Sequence, residues 1–150
     1  MKYTSTREDK ELLNFKQVTL KGLAPDGGLY VPKNWKLPNL KFSDTDITFE
    51  KTAYEILKHF VGKSLDNKLL KKLISRSYKS FRNKEITTLK QLDKNNYILE
   101  LYHGPTLAFK DIALQFLGNA FEEFLKKEKK KLTIIGLSLI HISEPTRLHG

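Results

Sequence analysis

The passage from residue 97 to residue 125 constrains this chain more than any other. Tyr97, Ile98, Leu99, Leu101 and Tyr102 form a nearly continuous apolar run, the pattern of a strand buried on both faces as in a parallel sheet. Gly104 and Pro105 then make a turn. Beyond it Ile112, Ala113, Phe116, Leu117, Ala120, Phe121, Phe124 and Leu125 recur at helical spacing, an amphipathic stripe of about four turns. A third apolar run, residues 132–136, follows the helix. Strand, helix and strand in that order predict a βαβ unit, two parallel strands joined by a right-handed crossover. The fold class read from this pattern is α/β.

Between the strand and the helix stands Lys110, in the segment HGPTLAFKD at residues 103–111. Open α/β sheets place their ligands at the carboxyl ends of strands. A lysine there is predicted to be partly desolvated and to lie beside a helix N-terminus. Both influences disfavour the charged amine and lower its pKa. A neutral amine is what Schiff-base chemistry requires.

Residues 1–95 read as a small α/β unit that precedes this one. A short strand is expected at residues 2–5 and a helical stretch at 12–21. The turn at 24–28, with Gly27 and Gly28 permitting positive φ, leads to a strand at 29–31 that Pro32 stops. Phe49, Ala53, Ile56, Leu57, Phe60 and Val61 mark one amphipathic helix. A second opens on Asp66 as N-cap and runs through Leu69, Leu70, Leu73, Ile74, Ser77 and Tyr78. Gly62 between them predicts a helical hairpin. Three stretches result: 1–95, 96–136 and 137–150.

Composition excludes more than it selects. The chain has 150 residues and no cysteine, which removes a disulfide framework, a thiolate zinc site and a cysteine nucleophile; no metal site is expected. The amino terminus lacks an apolar leader and no apolar stretch approaches the roughly 20 residues that cross a bilayer. A cytoplasmic protein without membrane association is expected. The net charge is +10, but the excess is lysine, with arginine only at positions 7, 76, 82 and 147. Arginine is the better reader of phosphate and base edges. The lysines at 126–131 close a helix, where cations suit the negative dipole end. A solvated surface is favoured over a nucleic-acid patch.

Residues 137–150 have neither helical nor strand periodicity. They resemble the translation of sequencing-adaptor DNA joined to a truncated reading frame, an ordinary tail being the alternative. They carry no weight in the fold reading.

Two motifs resemble a known family. The segment APDGGLYVP at residues 24–32, preceded by MKYTSTR at 1–7, is similar to the opening of threonine synthase. The segment ELYHGPTLAFKD at residues 100–111 resembles the pyridoxal-phosphate attachment segment of the same family. The likeness runs from Met1 to about residue 136. It implies an N-terminal threonine-synthase-like unit at 1–95, then the first βαβ unit of a fold-type II pyridoxal-phosphate domain, truncated. It implies that Lys110 holds pyridoxal 5'-phosphate through a Schiff base and serves as the catalytic base. The implied reaction is that of a carbon–oxygen lyase in threonine biosynthesis, converting O-phospho-L-homoserine and water to L-threonine and phosphate.

The neighbours of Lys110 carry structural readings as well. His103 ends a strand before Gly-Pro and reads first as a turn-capping group, with cofactor contact the alternative. Thr106 reads as a cap of the turn before a cofactor contact. Phe109 is expected in the core, and Asp111 is favoured in a first helical turn by the dipole alone. The chain also departs from the family. A Ser/Thr/Gly-rich loop that binds phosphate at a helix N-terminus is expected after the strand at 132–136, and LSLIH stands there instead. The 150 residues alone are therefore expected to be inactive. Another pyridoxal-phosphate lyase, a catalytically dead synthase-like protein and a basic nucleic-acid module are the competing readings.

Overall fold

The computed structural model describes residues 1–8, 10–35 and 47–133. Strand β1 (Tyr3–Ser5) pairs antiparallel with β2 (Tyr30–Pro32), Tyr3 opposite Pro32 and Ser5 opposite Tyr30. Helix α1 (Phe15–Lys21) lies between them in sequence. Asn14 and Gln17 close its first turn reciprocally, side chain of each to backbone of the other, a capping box that satisfies two orphan amides. At the turn before β2, Gly27 has φ +74, a conformation that other residues adopt at a cost. Gly28 is glycine for a different reason: a Cβ there would strike the Ser5 hydroxyl.

The helical hairpin is present. Helix α2 (Phe49–Val61) begins on Thr48, whose hydroxyl accepts from the Lys51 amide, and ends at Gly62 with φ 54. A 3-10 turn (Gly62–Ser64) leads to α3 (Asn67–Tyr78), where the Asp66 carboxylate accepts from the Leu69 amide at 2.9 Å. That bond to the helix amide holds the exposed Asp66 carboxyl below its ordinary range. Strands β3 (Thr88–Gln91) and β4 (Tyr97–Glu100) follow, then the long helix α4 (Asp111–Glu128). No described helix is long and apolar enough to cross a membrane.

The apolar run at 97–102 forms a shorter and more exposed strand than expected; its partner among the described residues is β3, and most of the partner expected at 132–136 lies outside them. β4 runs antiparallel to β3, with Leu89 opposite Leu99 and Gln91 opposite Tyr97. Tyr97, Ile98 and Leu99 are each about half exposed. A continuous apolar run cannot by itself tell a parallel core strand from one arm of a hairpin. The deciding signal lies in the turn: the Asp93 carboxylate accepts from the Asn95 and Asn96 amides and from the Asn96 side chain. Those bonds, the Asn96 side chain first, lower the Asp93 carboxyl pKa. Of the strand expected at 132–136, Leu132 and Thr133 carry no regular structure and the remainder lies outside the described residues, as does the stretch 137–150.

The core lies among α2, α3 and α4. Leu70, Leu73 and Ile74 on α3 meet Phe116, Ala120 and Phe124 on α4, with Val61 and Leu65 from the hairpin turn. It joins elements on both sides of residue 95, and that position falls inside the β3–β4 turn. Ala120, fully buried, leaves room for the two helices to approach. Buried Ser77 donates to the Leu73 carbonyl at 2.7 Å and accepts from the Asn119 amide nitrogen at 2.9 Å, so the polar groups in the helix interface are paired. Two tyrosines tie the layers together: Tyr3 donates to the Phe60 carbonyl at 2.8 Å, and Tyr78 to the Ile112 carbonyl at 3.0 Å. Burial pushes both phenols up to about 12.

Two outcomes follow from this core. Phe124→Ala removes a ring that is 1% exposed and is expected to destabilise the chain by about 3–5 kcal/mol, read from urea unfolding. The Tyr3 and Tyr78 phenols keep their protons up to about 12 in the folded chain and release them near 10.0 when unfolded. Stability is therefore intact below pH 10 and falls as pH rises from 10 to 12. Tyr78→Phe should flatten that fall and remove one late step from the phenolate absorbance titration.

Candidate active site around Lys110

Residues 100–111 connect β4 to α4. The backbone enters through His103, whose carbonyl accepts from the Arg82 amide at 2.8 Å. It then turns at Gly104, whose carbonyl takes the Leu107 amide at 3.1 Å. Leu107 has φ 62, the left-handed region, uncommon for a residue with a Cβ. Three residues later the chain reaches Lys110, which occupies the N-cap position of α4. Lys110 thus stands at the helix mouth, as its sequence position implies.

The carboxylate of Asp111 holds this connection in place. One oxygen accepts from the Thr106 amide at 2.8 Å and the other from the Thr106 hydroxyl at 2.8 Å. Asp111 is 2% exposed, so its role goes beyond the dipole preference expected of a first-turn acid. Thr106 fits its capping reading, with its partner five residues ahead. Gly104 is needed for space: a Cβ there would run into the Asp111 side chain.

His103 sits in a small polar relay. Its Nε2 lies 3.2 Å from Glu100 and 3.4 Å from the Thr88 hydroxyl, which accepts from Asn83 at 2.8 Å. A proton on Nε2 satisfies the Glu100 carboxylate. The Tyr102 ring packs against the imidazole at 4.7 Å between centroids. A hydrogen bond to Glu100 is the first cause that pushes the Tyr102 phenol up. The relay anchors the start of the turn, which accords with the capping reading of His103.

Two expectations fail here. Phe109 is 65% exposed and is not core, because the turn directs it away from the α3–α4 interface. Lys110 is also exposed, so the partial burial expected at a strand end is not found among the described residues. The amine makes no hydrogen bond or ion pair among them. The first-turn amides of α4 are occupied: those of Asp111, Ile112, Ala113 and Leu114 donate to carbonyls of Ala108, Phe109 and Lys110. With a carboxylate at the same end, α4 offers no open anion site of the kind helix N-termini provide. Asp111 itself was legible only as a first-turn acid. The three-way fit of Gly104, Thr106 and Asp111 has no periodicity to reveal it.

The chain as a whole is similar to known proteins. The family model described as threonine synthase N terminus matches residues 2–78. The chain belongs to the threonine synthase family. It is 40% identical over 140 residues to threonine synthase of Pseudomonas aeruginosa, covering 91% of this chain and 29% of that protein. It is 42% identical over 147 residues to threonine synthase of Schizosaccharomyces pombe, covering 89% and 28%. A crystal structure of PLP-bound threonine synthase from Brucella melitensis superposes with a TM-score of 0.78 at 34% identity, over 87% of this chain and 29% of that one. The chain thus spans less than a third of the relatives it matches. Its helices and strands match the corresponding part of those threonine synthase structures.

The geometry predicts a coupled pair. Gly104→Ala should displace the Asp111 carboxylate from Thr106 and cost about 1–3 kcal/mol in urea unfolding, the range for a buried acceptor losing its donors. In an Asp111→Ala background the same substitution should cost less without becoming neutral, because the Cβ of residue 111 would still stand against the new methyl while the hydrogen bonds to Thr106 are already gone.

Proposed function

We propose that residues 103–111 are the cofactor attachment segment of a threonine synthase, with Lys110 holding pyridoxal 5'-phosphate. The observation that carries this reading is the state of the segment's polar groups. Thr106, Asp111 and the His103 side chain all have partners. Within this segment the Lys110 amine alone is exposed with no partner among the described residues. A primary amine on a fixed turn fits an aldehyde, and the exposed ring of Phe109 next to it suits a planar aromatic group. The cofactor's phosphate falls to residues other than the α4 terminus, whose amides are taken. His103 and Thr106 act by shaping the turn.

The reaction is the conversion of O-phospho-L-homoserine and water to L-threonine and phosphate. Pyridoxal phosphate, when bound, supplies the aldehyde that takes an amine and the electron sink for the substrate's α-carbon. With the cofactor bound, Lys110 would hold its aldehyde, and the Lys110 Nζ would be the group that serves the substrate's α-carbon proton. It takes that proton as general base and returns it as general acid. The turn of residues 104–110 orients Nζ for both transfers, a contribution of position rather than of charge.

The 150 residues alone are proposed not to complete this cycle. LSLIH stands where the family's Ser/Thr/Gly-rich phosphate loop is expected, so Lys110 would be left to hold the cofactor without that anchor. In a polypeptide that extends this chain to the length of its relatives, phosphate release from O-phospho-L-homoserine is expected. Lys110→Ala should lower it by at least about 10²-fold, the lower range for a positioned acid–base group. Phosphate release by the 150-residue chain, or an extended Lys110→Ala variant that works normally, would overturn the proposal.

A further inference from the structure

We propose that Asp111 is a positioning residue for Lys110: its carboxylate locks the turn from which the amine projects. This rests on the reading of Lys110 given above. Asp111 follows Lys110 directly and opens α4, so the bonds of its side chain restrain the backbone on either side of the lysine. Its two oxygens do not point at the lysine. They reach back to the Thr106 amide and hydroxyl, each at 2.8 Å, and so close a ring of residues 106–111. Two further features make the ring stiff. Gly104 packs so closely on the Asp111 side chain that no Cβ fits between them, and Leu107 is held at φ 62. A left-handed leucine is strained and persists only where surrounding bonds impose it. The far side of the turn is secured by the Tyr78 hydroxyl on the Ile112 carbonyl at 3.0 Å.

A carboxylate with both oxygens engaged and 2% exposure is not a proton carrier for bulk solvent, nor is it placed to pair with its sequence neighbour, since adjacent helical residues do not face one another. What it can do is remove conformational freedom between Thr106 and Lys110. The amine then meets an aldehyde from a narrow range of directions instead of sweeping the surface. Ordinary exposed lysines such as Lys126, tied to Glu122 by an i,i+4 pair on the helix surface, have no such frame. The clamp therefore supplies orientation, the factor that makes one lysine among many the site of attachment.

The test uses the 150-residue chain and pyridoxal phosphate itself. The cofactor is added in limiting amount, trapped with borohydride, and every lysine is quantified by peptide mass spectrometry, with Thr106 amide exchange and far-UV circular dichroism measured alongside. In the parent chain Lys110 should be labelled well above Lys126, and the Thr106 amide should be protected. Asp111→Ala should lose both the preference and the protection while keeping the helical signal. Asp111→Asn and Thr106→Ser preserve size and hydrogen-bonding capacity and should keep most of each; Thr106→Val should lower the preference without abolishing it. If the parent chain shows no preference for Lys110, the attachment reading falls and this inference with it. If the parent chain shows the preference and Asp111→Ala keeps it, the positioning role alone is refuted. Should Asp111→Ala lose its helical signal, Thr106→Val decides, and a parental Lys110 preference there refutes the role.

Discussion

Everything near Lys110 depends on the contact between α3 and α4. Leu70, Leu73 and Ile74 on one helix and Ala120 and Phe124 on the other are at most 2% exposed. At roughly 1.5–3 kcal/mol for each large side chain removed from water, they set where α4 lies. Ser77 and Asn119 add a bonded polar pair inside that contact, which fixes the register of one helix against the other more sharply than apolar contact does. Tyr78 continues the same seam to the Ile112 carbonyl, one residue beyond Asp111. The start of α4 is thereby held from behind, and the turn carrying Lys110 is built on an immobile base.

On that base the chain uses two kinds of polar interaction with different worth. The bonds of Asp111 to Thr106 are partly buried and restrict the backbone. The ion pairs of the lysine-rich helix end lie in water. Lys126 reaches Glu122 at 2.6 Å, while Lys130 and Lys16 reach Glu128 at 3.0 and 2.7 Å. The Lys126 bond is the first cause that lowers the Glu122 carboxyl, and the Lys16 bond the first that lowers Glu128. Such exposed pairs contribute little to stability. They do partly neutralise the densest run of positive charge in a chain of net charge +10, which weakens the case for reading that run as a nucleic-acid surface.

The site combines rigidity with exposure. Tyr102, Leu107, Phe109 and Lys110 all lie open to solvent, yet the backbone beneath them is closed by hydrogen bonds at His103, Gly104, Thr106 and Asp111. In the attachment role proposed above, such a segment keeps its amine accessible without leaving its direction to chance.

The amino-acid sequence alone determined the helices and most of their limits, although α1 starts at Phe15 and not near residue 12. Asp66 and Gly62 are local signals whose partners lie within one turn, so the hairpin was legible residue by residue. The two family-like motifs and the place of Lys110 at the mouth of α4 were legible for the same reason, being contiguous. The strand pairing was not. An apolar run of Tyr97, Ile98 and Leu99 satisfies a parallel sheet and a hairpin equally, and the choice rests on β3 and on the Asp93 turn. Nor could the sequence say that Phe109 faces outward, that Lys110 is exposed, or that Asp111 turns back to Thr106. Those depend on a left-handed Leu107, on a glycine chosen for space, and on the angle at which α4 meets α3. Such facts belong to tertiary packing, because they join atoms whose separation no local periodicity encodes.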